Sequence, residues 1–319
     1  MTEFDLRSMA FVGIFLGICM SQAAAQSSPT PSPSPVRLNR TIELMQSGEN
    51  AFGIFAWNLT ARSGAAIADS SLDFVIIDLE HSPADVTRLE SYLLGMTNKQ
   101  QIARNGHLQP RVTPLVRVPS TGKERVLYTV KQVLDAGAMG VVVPHVETAE
   151  EALLMVQACR YPQRRGVADF EPVGKRGAAY RWPARYWGLT PEEYSQRADV
   201  WPLDPQGEIL LWIMIESVEG LKNAREIAAT PGVGGIFIGP GDLAFSMGVP
   251  PGDPSLEAAY TEILEACKAA NVPCGTLTTA DQVKKRLAQG FRFLAVGFDG
   301  GIEAEVDRAV RIGRDTAAP

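Results

Sequence analysis

Ile236-Phe237-Ile238-Gly239-Pro240-Gly241-Asp242-Leu243 is an apolar run that ends in a glycine-rich turn and a carboxylate. About one strand-helix unit upstream, Ile213-Met214-Ile215-Glu216 is a second apolar run that ends in a carboxylate. Near-continuous runs of Val, Ile, Leu and Phe are typical of parallel strands buried on both faces. Since α/β proteins place their chemistry at the carboxyl ends of such strands, Glu216 and Asp242 predict a site for a hard cation there.

Runs of this kind alternate with amphipathic helical patterns from about residue 40 onward. The predicted strands are 52–58, 74–80, 114–119, 140–146, 209–216, 235–239, 273–278 and 293–298. This alternation indicates an α/β fold of the (β/α)8 TIM-barrel type, with one domain over residues 38–319. A doubly wound open sheet is the alternative, and it is disfavoured because no G-x-G-x-x-G motif follows the first strand.

The composition narrows the range of partners. The chain has 319 residues, of which 45% are hydrophobic, so it can bury a sizeable core. Its formal net charge is −6, and no block of Lys and Arg is dense enough to follow a phosphate backbone. We therefore expect no nucleic-acid partner.

The N-terminal segment has the pattern of an export signal. Residues 9–20 form an apolar run too short to span a bilayer, and Ala23-Ala24-Ala25 follows it. This order predicts a signal peptide over 1–25 and a disordered Ser/Pro-rich linker over 26–37. The mature protein is then secreted or periplasmic and free of the membrane. Glu3 and Asp5 are atypical of a signal peptide, so a buried N-terminal helix or a cytoplasmic protein with a misassigned start is the alternative.

Three cysteines remain after the predicted cleavage: Cys159, Cys267 and Cys274. Their odd number and the absence of a C-x-x-C spacing do not fit a complete disulfide framework. Cys267 and Cys274 are close enough in sequence to pair, but we expect buried free thiols.

Residues 162–207 interrupt the alternation after the fourth helical pattern. The segment is rich in Arg, Pro and aromatic residues. A loop of this length is uncommon unless it is functional or packs on a neighbour, so a lid or a subunit contact is one interpretation. A surface elaboration is the other.

Further polar residues end other predicted strands at the rim of the barrel, meaning the carboxyl ends of its strands. His81 follows the second strand and Arg117 lies in the third. A histidine can transfer a proton near neutral pH, and a guanidinium can stabilise a developing oxyanion. Each residue alone has a structural interpretation: Asp242 as a helix cap, Arg117 as a salt-bridge partner. Their convergence on one rim favours a catalytic site, and His145 is a second, weaker histidine candidate.

Several motifs recur here in the order of a known family. They are Ile77-Asp78-Leu79-Glu80-His81, Leu115-Val116-Arg117-Val118-Pro119, Leu134-Asp135-Ala136-Gly137, Val142-Val143-Pro144-His145-Val146, Arg160-Tyr161-Pro162, Ile215-Glu216 and Phe237-Ile238-Gly239-Pro240-Gly241-Asp242-Leu243. Together they resemble the HpcH/HpaI family of class II pyruvate aldolases. The resemblance implies a barrel of the phosphoenolpyruvate/pyruvate type, a trimeric or hexameric homo-oligomer, and a divalent metal such as Mg²⁺, Mn²⁺ or Co²⁺.

The resemblance also implies roles for individual residues. Glu216 and Asp242 match the metal ligands, and His81 matches the acid/base. Asp135 matches the carboxylate that raises the basicity of that histidine, and Arg117 matches the arginine that stabilises the transition state. The substrate-binding positions correspond to Met214, Gly239, Pro240, Gly241 and Asp242.

The implied activity is a metal-dependent carbon–carbon lyase that converts 4-hydroxy-2-oxo acids to pyruvate and an aldehyde, or the reverse, through a metal-bound enolate. Leu79 replaces a glycine common in the family, and Met214 replaces a substrate-contacting glutamine of many members. These departures leave alternatives open. One is a secreted non-catalytic binder of pyruvate- or dicarboxylate-like acids. The other is a citramalyl- or malyl-CoA lyase-like or oxaloacetate decarboxylase-like activity on the same barrel.

Overall fold

The computed structural model describes residues 36–119, 127–300 and 303–316. The predicted signal peptide and all of the predicted linker except Val36 and Arg37 lie outside these residues, so both stay predictions. Arg37 itself belongs to the folded part, because its guanidinium donates hydrogen bonds to the carbonyl oxygens of Gly207 at 2.7 Å and Pro205 at 2.5 Å. No helix in the described part of the chain is long and apolar enough to cross a membrane.

Nine parallel strands in the described residues form one sheet. They are β1 (Ala51–Ala56), β2 (Phe74–Asp78), β3 (Thr113–Arg117), β4 (Gly140–Val143), β5 (Val200–Trp201), β6 (Ile209–Ile215), β7 (Gly235–Ile238), β8 (Cys274–Leu277) and β9 (Phe293–Phe298). β1 pairs with both β2 and β9, and β4 pairs directly with β6. The eight strands other than β5 therefore close into a ring, which confirms the predicted (β/α)8 barrel and rules out the open sheet.

Helices surround this ring. They are α1 (Arg40–Gln46), α2 (Ala61–Ala68), α3 (Val86–Met96), α4 (Lys99–Asn105), α5 (Leu127–Ala136), α6 (Ala149–Cys159), α7 (Arg181–Trp187), α8 (Pro191–Arg197), α9 (Val218–Lys222), α10 (Ala224–Ala228), α11 (Pro240–Met247), α12 (Pro254–Ala270), α13 (Val283–Gln289) and α14 (Glu303–Arg314). Local sequence fixes several of their starts. Thr148 and Glu151 form a capping box at α6, and Pro240 occupies the first turn of α11.

Large side chains fill the barrel interior. The ring of Trp212 stacks on Phe293 with centroids 4.0 Å apart and meets Phe74 edge-on at 5.1 Å. Ile42 and Leu44 of α1 belong to the same buried cluster, so this helix closes the amino ends of the strands. The open end of the barrel is consequently the carboxyl end, where the sequence predicts the site.

One cysteine prediction is wrong. Cys267 and Cys274 form a disulfide with Cα atoms 6.1 Å apart, and only Cys159 is a free, buried thiol in the described residues. The reason is local: Asn271 ends α12 in the left-handed conformation, with φ of 54°, and turns the chain back towards β8. The sequence separation of seven residues therefore becomes a distance that a disulfide can span.

The segment 162–207 is ordered and contains α7, α8 and β5. It packs against the side of the barrel: Trp187 Nε1 donates to the carbonyl oxygen of Gly137 at 2.9 Å, and the Arg176 guanidinium reaches Asp135 at 2.9 Å. Buried aromatic residues such as Tyr194 make this segment part of the core. The lid and subunit-contact interpretations stay predictions, since these contacts are to the barrel wall.

Candidate active site

A cavity of about 220 Å³ lies at the rim, where the sequence predicts the site. It is lined by Phe55, Trp57, His81, Arg117, Met214, Glu216, Phe237, Gly239, Pro240, Gly241, Asp242, Leu277 and Phe298. All the predicted metal and substrate-binding positions, together with His81 and Arg117, are in this set. Asp135 is not, and the described residues of 162–207 contribute none of the lining.

Glu216 is the most buried charged group of the cavity. It follows β6 and shares the inward-facing side of that strand with Trp212 and Met214, as the period of two requires. Its Oε1 accepts a 2.7 Å hydrogen bond from the His145 backbone N–H, whereas its buried Oε2 has no hydrogen-bond partner among the described residues. Gly239 is required opposite, because a Cβ atom there would lie 2.0 Å from Glu216 Oε2.

The charge around Glu216 favours a cation. Burial raises the pKa of Glu216 to about 7; neighbouring Glu80 and Asp242 act in the same direction, against His145. Asp242 lies in the first turn of α11 and lines the same cavity. Two carboxylates at one cavity, one of them with a buried oxygen that has no donor, form a donor set that Mg²⁺ or Mn²⁺ accepts. The residues present therefore fit the predicted divalent metal.

Arg117 is held by two carboxylates. Its Nε and Nη2 donate to the two oxygens of Asp78 at 2.8 and 2.6 Å, and its Nη1 lies 2.9 Å from Glu80 Oε2. Burial acts to raise the pKa of Asp78, but the hydrogen bonds and charge of Arg117 outweigh it, and the net shift is downward. Burial keeps the pKa of Glu80 above its usual value. Asp78 thus orients Arg117.

The two rim histidines differ. His81 is half-exposed at the cavity, with its Nε2 3.7 Å from Glu80 Oε2. His145 lies deeper: its Nδ1 is 3.5 Å from Glu216 Oε1 and its Nε2 is 3.7 Å from Glu80 Oε1. Its φ of 51° is a left-handed conformation that costs energy for a residue with a Cβ, and such strain concentrates at functional sites. The structure therefore gives more support to His145 as a functional residue than the sequence does.

Asp135 lies apart from this group. Its partners are Lys131, four residues earlier on α5, and the buried Arg176. No ion pair joins it to His81 in the described part of this chain. The predicted effect of Asp135 on the basicity of His81 stays a prediction.

Three aromatic residues of the cavity, Phe55, Trp57 and Phe298, were not singled out from the sequence. Trp57 stacks on Phe298 with centroids 4.7 Å apart, and its Nε1 donates to Asp78 Oδ2 at 2.5 Å. A signal for Trp57 exists in the sequence, because Gly53, Phe55 and Trp57 are spaced by two along the first predicted strand and so share its inward face.

A second acidic cluster lies at the opposite end of the barrel. Oxygens of Asp169, Asp199 and Asp204 come within 4.8 Å of one another. Asp199 immediately precedes β5, which places the cluster at the amino ends of the strands. The buried Arg160 occupies it, with 2.6 Å from Nε to Asp199 Oδ1 and 3.0 Å from Nη2 to Asp169 Oδ2. Arg160 is therefore the cation of this cluster, and its ion pairs stabilise the amino end of the barrel.

Comparisons with known proteins identify the family of the chain. The profile of the HpcH/HpaI aldolase/citrate lyase family matches residues 52–305. A hydroxypyruvate/pyruvate aldolase of Roseobacter denitrificans is 32% identical over 270 residues, 83% of this chain and 93% of the relative. A 4-hydroxy-2-oxovalerate aldolase of Rhodococcus jostii is 32% identical over 278 residues, 86% of this chain and 95% of the relative.

A crystal structure of a family member from Burkholderia cenocepacia has a TM-score of 0.70 and 27% sequence identity, and the match covers 87% of this chain and all of that chain. The chain belongs to the HpcH/HpaI aldolase/citrate lyase family. The expectation of a lyase of this class is confirmed at that level, since the relatives are named aldolases.

Proposed function

We propose that the protein is a metal-dependent lyase that cleaves 4-hydroxy-2-oxo acids to pyruvate and an aldehyde. The bond between C3 and C4 breaks, the 4-hydroxyl loses its proton as C4 becomes the aldehyde carbon, and C3 gains a proton to become the methyl group of pyruvate. No oxidant or reductant is needed. The observation that carries the proposal is the buried Glu216 Oε2, which has no hydrogen-bond partner in the described residues, on a side chain that lines the cavity together with Asp242.

Glu216 and Asp242 would hold the metal. A bound Mg²⁺, Mn²⁺ or Co²⁺ would supply Lewis acidity towards the oxygens of the 2-oxo acid. His81, at the open side of the cavity, accepts the proton of the 4-hydroxyl. Arg117, fixed by Asp78, contributes positive charge near the developing oxyanion. The exposed backbone of Gly241 has open space beside it, where its N–H can meet the substrate carboxylate.

A screen of metals against substrates tests this proposal. The full-length protein, first stripped with EDTA, is given Mg²⁺, Mn²⁺ or Co²⁺ and a panel of 4-hydroxy-2-oxo acids, and pyruvate release is followed. We expect release that depends on the added metal. Full activity without metal contradicts the class II assignment, and saturable binding without product favours the non-catalytic binder.

We also propose export of a mature chain that begins near Gln26. The Cys267–Cys274 disulfide supports this proposal, because disulfides persist mainly in oxidising compartments. Intact mass of the protein from its native host is expected to show the shortened chain in the periplasm or medium. Recovery of the uncleaved chain from the cytoplasm would refute export.

A homo-oligomer, trimer or hexamer, is proposed from the family resemblance. Phe245 on α11 is 86% exposed in the single chain, and a subunit contact at this helix would bury its apolar surface. Light scattering after size exclusion measures the mass, and a monomer at micromolar concentration would contradict the proposal.

A further inference from the structure

The cavity has one continuous apolar side. Around the ring, β8, β9 and β1 are neighbours, and they contribute Leu277, Phe298, Phe55 and Trp57 to the lining. The polar groups come from the other strands: Arg117 from β3, and His81, Glu216 and Asp242 from the segments that follow β2, β6 and β7. A substrate anchored at the carboxylates that follow β6 and β7 therefore has an apolar arc beside it.

The outer part of this arc is exposed to solvent in the single chain. Trp57 is 41% exposed and Phe298 is 37% exposed, although both are large apolar side chains. An exposed aromatic pair at the mouth of a cavity gains free energy when an apolar group covers it. We call Trp57 and Phe298 the aromatic pair.

Backbone and side-chain contacts hold the aromatic pair in place. Asp299, next to Phe298, accepts hydrogen bonds from the backbone N–H groups of Trp57 at 2.8 Å and Asn58 at 2.9 Å. The indole N–H of Trp57 is bound by Asp78. Phe55 and Phe298 are register partners on β1 and β9, with ring centroids 6.0 Å apart. The pair is therefore a preformed surface, and a ligand does not have to order it.

The described lining offers little to a charged or hydroxylated group at this side. Its one guanidinium, Arg117, is already bound to both Asp78 and Glu80. The side chains of the arc itself are hydrocarbon or aromatic. A distal carboxylate or a row of hydroxyls would lose water there without a hydrogen bond in return.

We propose that the aldehyde-derived end of the substrate is an apolar alkyl or aryl group that packs on the aromatic pair. The inference rests on the proposed function, because it assigns the other end of the same substrate to the carboxylates. It makes Trp57 and Phe298 specificity-determining residues of the lyase.

Four substrates test the preference. They share the 4-hydroxy-2-oxo acid head and carry ethyl, phenyl, carboxyethyl or dihydroxyethyl at C4. Pyruvate release by the metal-loaded full-length protein gives kcat/KM for each. We expect values for the ethyl and phenyl substrates about tenfold or more above those for the other two, which is the discrimination that apolar pockets give. A preference for the carboxyethyl or dihydroxyethyl substrate overturns the inference, whereas no pyruvate from any substrate contradicts the proposed function instead.

Variants of the aromatic pair connect that preference to the structure. Phe298→Ala is expected to raise KM for the phenyl substrate about tenfold and to change KM for the carboxyethyl substrate little. Phe298→Leu is expected to recover part of the loss for the phenyl substrate. Trp57→Phe keeps an aromatic ring but removes the donor to Asp78, so it separates packing from positioning of Arg117. Leu94→Ala is the matched control, because Leu94 is an exposed apolar side chain on α3 outside the cavity lining.

The remaining outcomes are also decisive. Equal losses for all four substrates in Phe298→Leu and Trp57→Phe would make the pair merely structural and overturn the inference. Unchanged kinetics with a changed oligomeric mass would make it a subunit contact and overturn it as well. If Phe298→Ala does not fold, judged by circular dichroism, Phe298→Leu and Trp57→Phe still decide the question.

Discussion

Two buried glutamates stand at opposite ends of strand β6, and their surroundings differ. Glu208 precedes the strand at the floor of the barrel, meaning the amino ends of its strands, and Glu216 follows the strand at the rim. Both oxygens of Glu208 are satisfied: Oε1 accepts from the Leu38 N–H at 3.0 Å and from Arg197 at 2.9 Å, and Oε2 accepts from the Asn39 N–H at 2.8 Å. Glu208 thereby ties the N-terminal segment to the barrel.

Glu216 is buried to the same extent, with a side chain 1% exposed, but its Oε2 has no partner in the described chain. A buried carboxylate without a donor is unfavourable, and a fold tolerates it where a ligand completes it. The contrast shows that burial and charge alone do not distinguish a structural carboxylate from a functional one. What distinguishes these two carboxylates is whether each oxygen has a hydrogen-bond donor.

The largest effect is expected at the floor. Glu208→Ala removes the acceptor of two buried backbone N–H groups and the carboxylate partner of Arg197, so we expect it to lower the free energy of unfolding by about 3–5 kcal/mol. Urea denaturation measures the change, and activity per folded molecule should not change. Glu219→Ala, which removes an exposed partner of Lys222, is the control and should cost less than about 1 kcal/mol. A small effect at Glu208 would remove the contrast between floor and rim.

Glu216→Gln is expected to have the opposite profile. The amide has nearly the shape of the carboxylate but lacks the charge, so we expect metal-dependent activity to fall by about 100-fold or more. Stability of the metal-free protein should not fall, because the variant removes a buried charge whose Oε2 has no hydrogen-bond donor in the described residues. Added metal should raise the melting temperature of the wild type only. Loss of stability without loss of activity would make Glu216 a structural residue like Glu208.

The sequence predicts well the positions of the barrel strands that carry these residues. The apolar runs locate all eight barrel strands because strands buried on both faces leave a continuous signal in local sequence. Their ends are less certain: the fourth run was expected to reach residue 146, but β4 ends at Val143, since Pro144 has no N–H for the ladder and His145 turns with positive φ. The Cys267–Cys274 pairing was missed because it depends on the left-handed turn at Asn271.

For the site, too, the sequence predicts the positions of residues better than the contacts between them. Rim positions follow from where strands end, so Glu216, Asp242, His81 and Arg117 were predicted to lie together, and the structure brings them to one cavity. Pairings across strands are not local properties. The capture of Arg117 by Asp78 and Glu80, the stacking of the aromatic pair and the separate position of Asp135 appear only once the barrel closes.

His145 gives a smaller test at the rim. Its φ of 51° is strained for any residue with a Cβ, at roughly 1–2 kcal/mol, and glycine is free of that cost. His145→Gly and His145→Ala both remove the imidazole, so their difference isolates the strain. We expect the glycine variant to have the higher melting temperature and the two to have equal activity. Equal melting temperatures would show that the rim stores no strain at this residue.

Met214→Gln concerns the smallest expected effect, and it tests what the rim binds. Met214 is buried on β6, two residues before Glu216 on the same inward face, and lines the cavity. Its thioether cannot match the hydrogen bond of an amide to a substrate oxygen, a difference of about 0.5–1.5 kcal/mol. We therefore expect Met214→Gln to lower KM for the 4-hydroxy-2-oxo acid by roughly two- to tenfold, with little change in kcat, because the residues that hold the metal and move the proton are unaltered.

Met214→Leu keeps the volume without adding a donor and should leave KM unchanged. If the glutamine variant folds but no longer binds the 2-oxo acid, the cavity is built around a more apolar ligand, and the pyruvate assignment falls while Glu216 and Asp242 keep their metal.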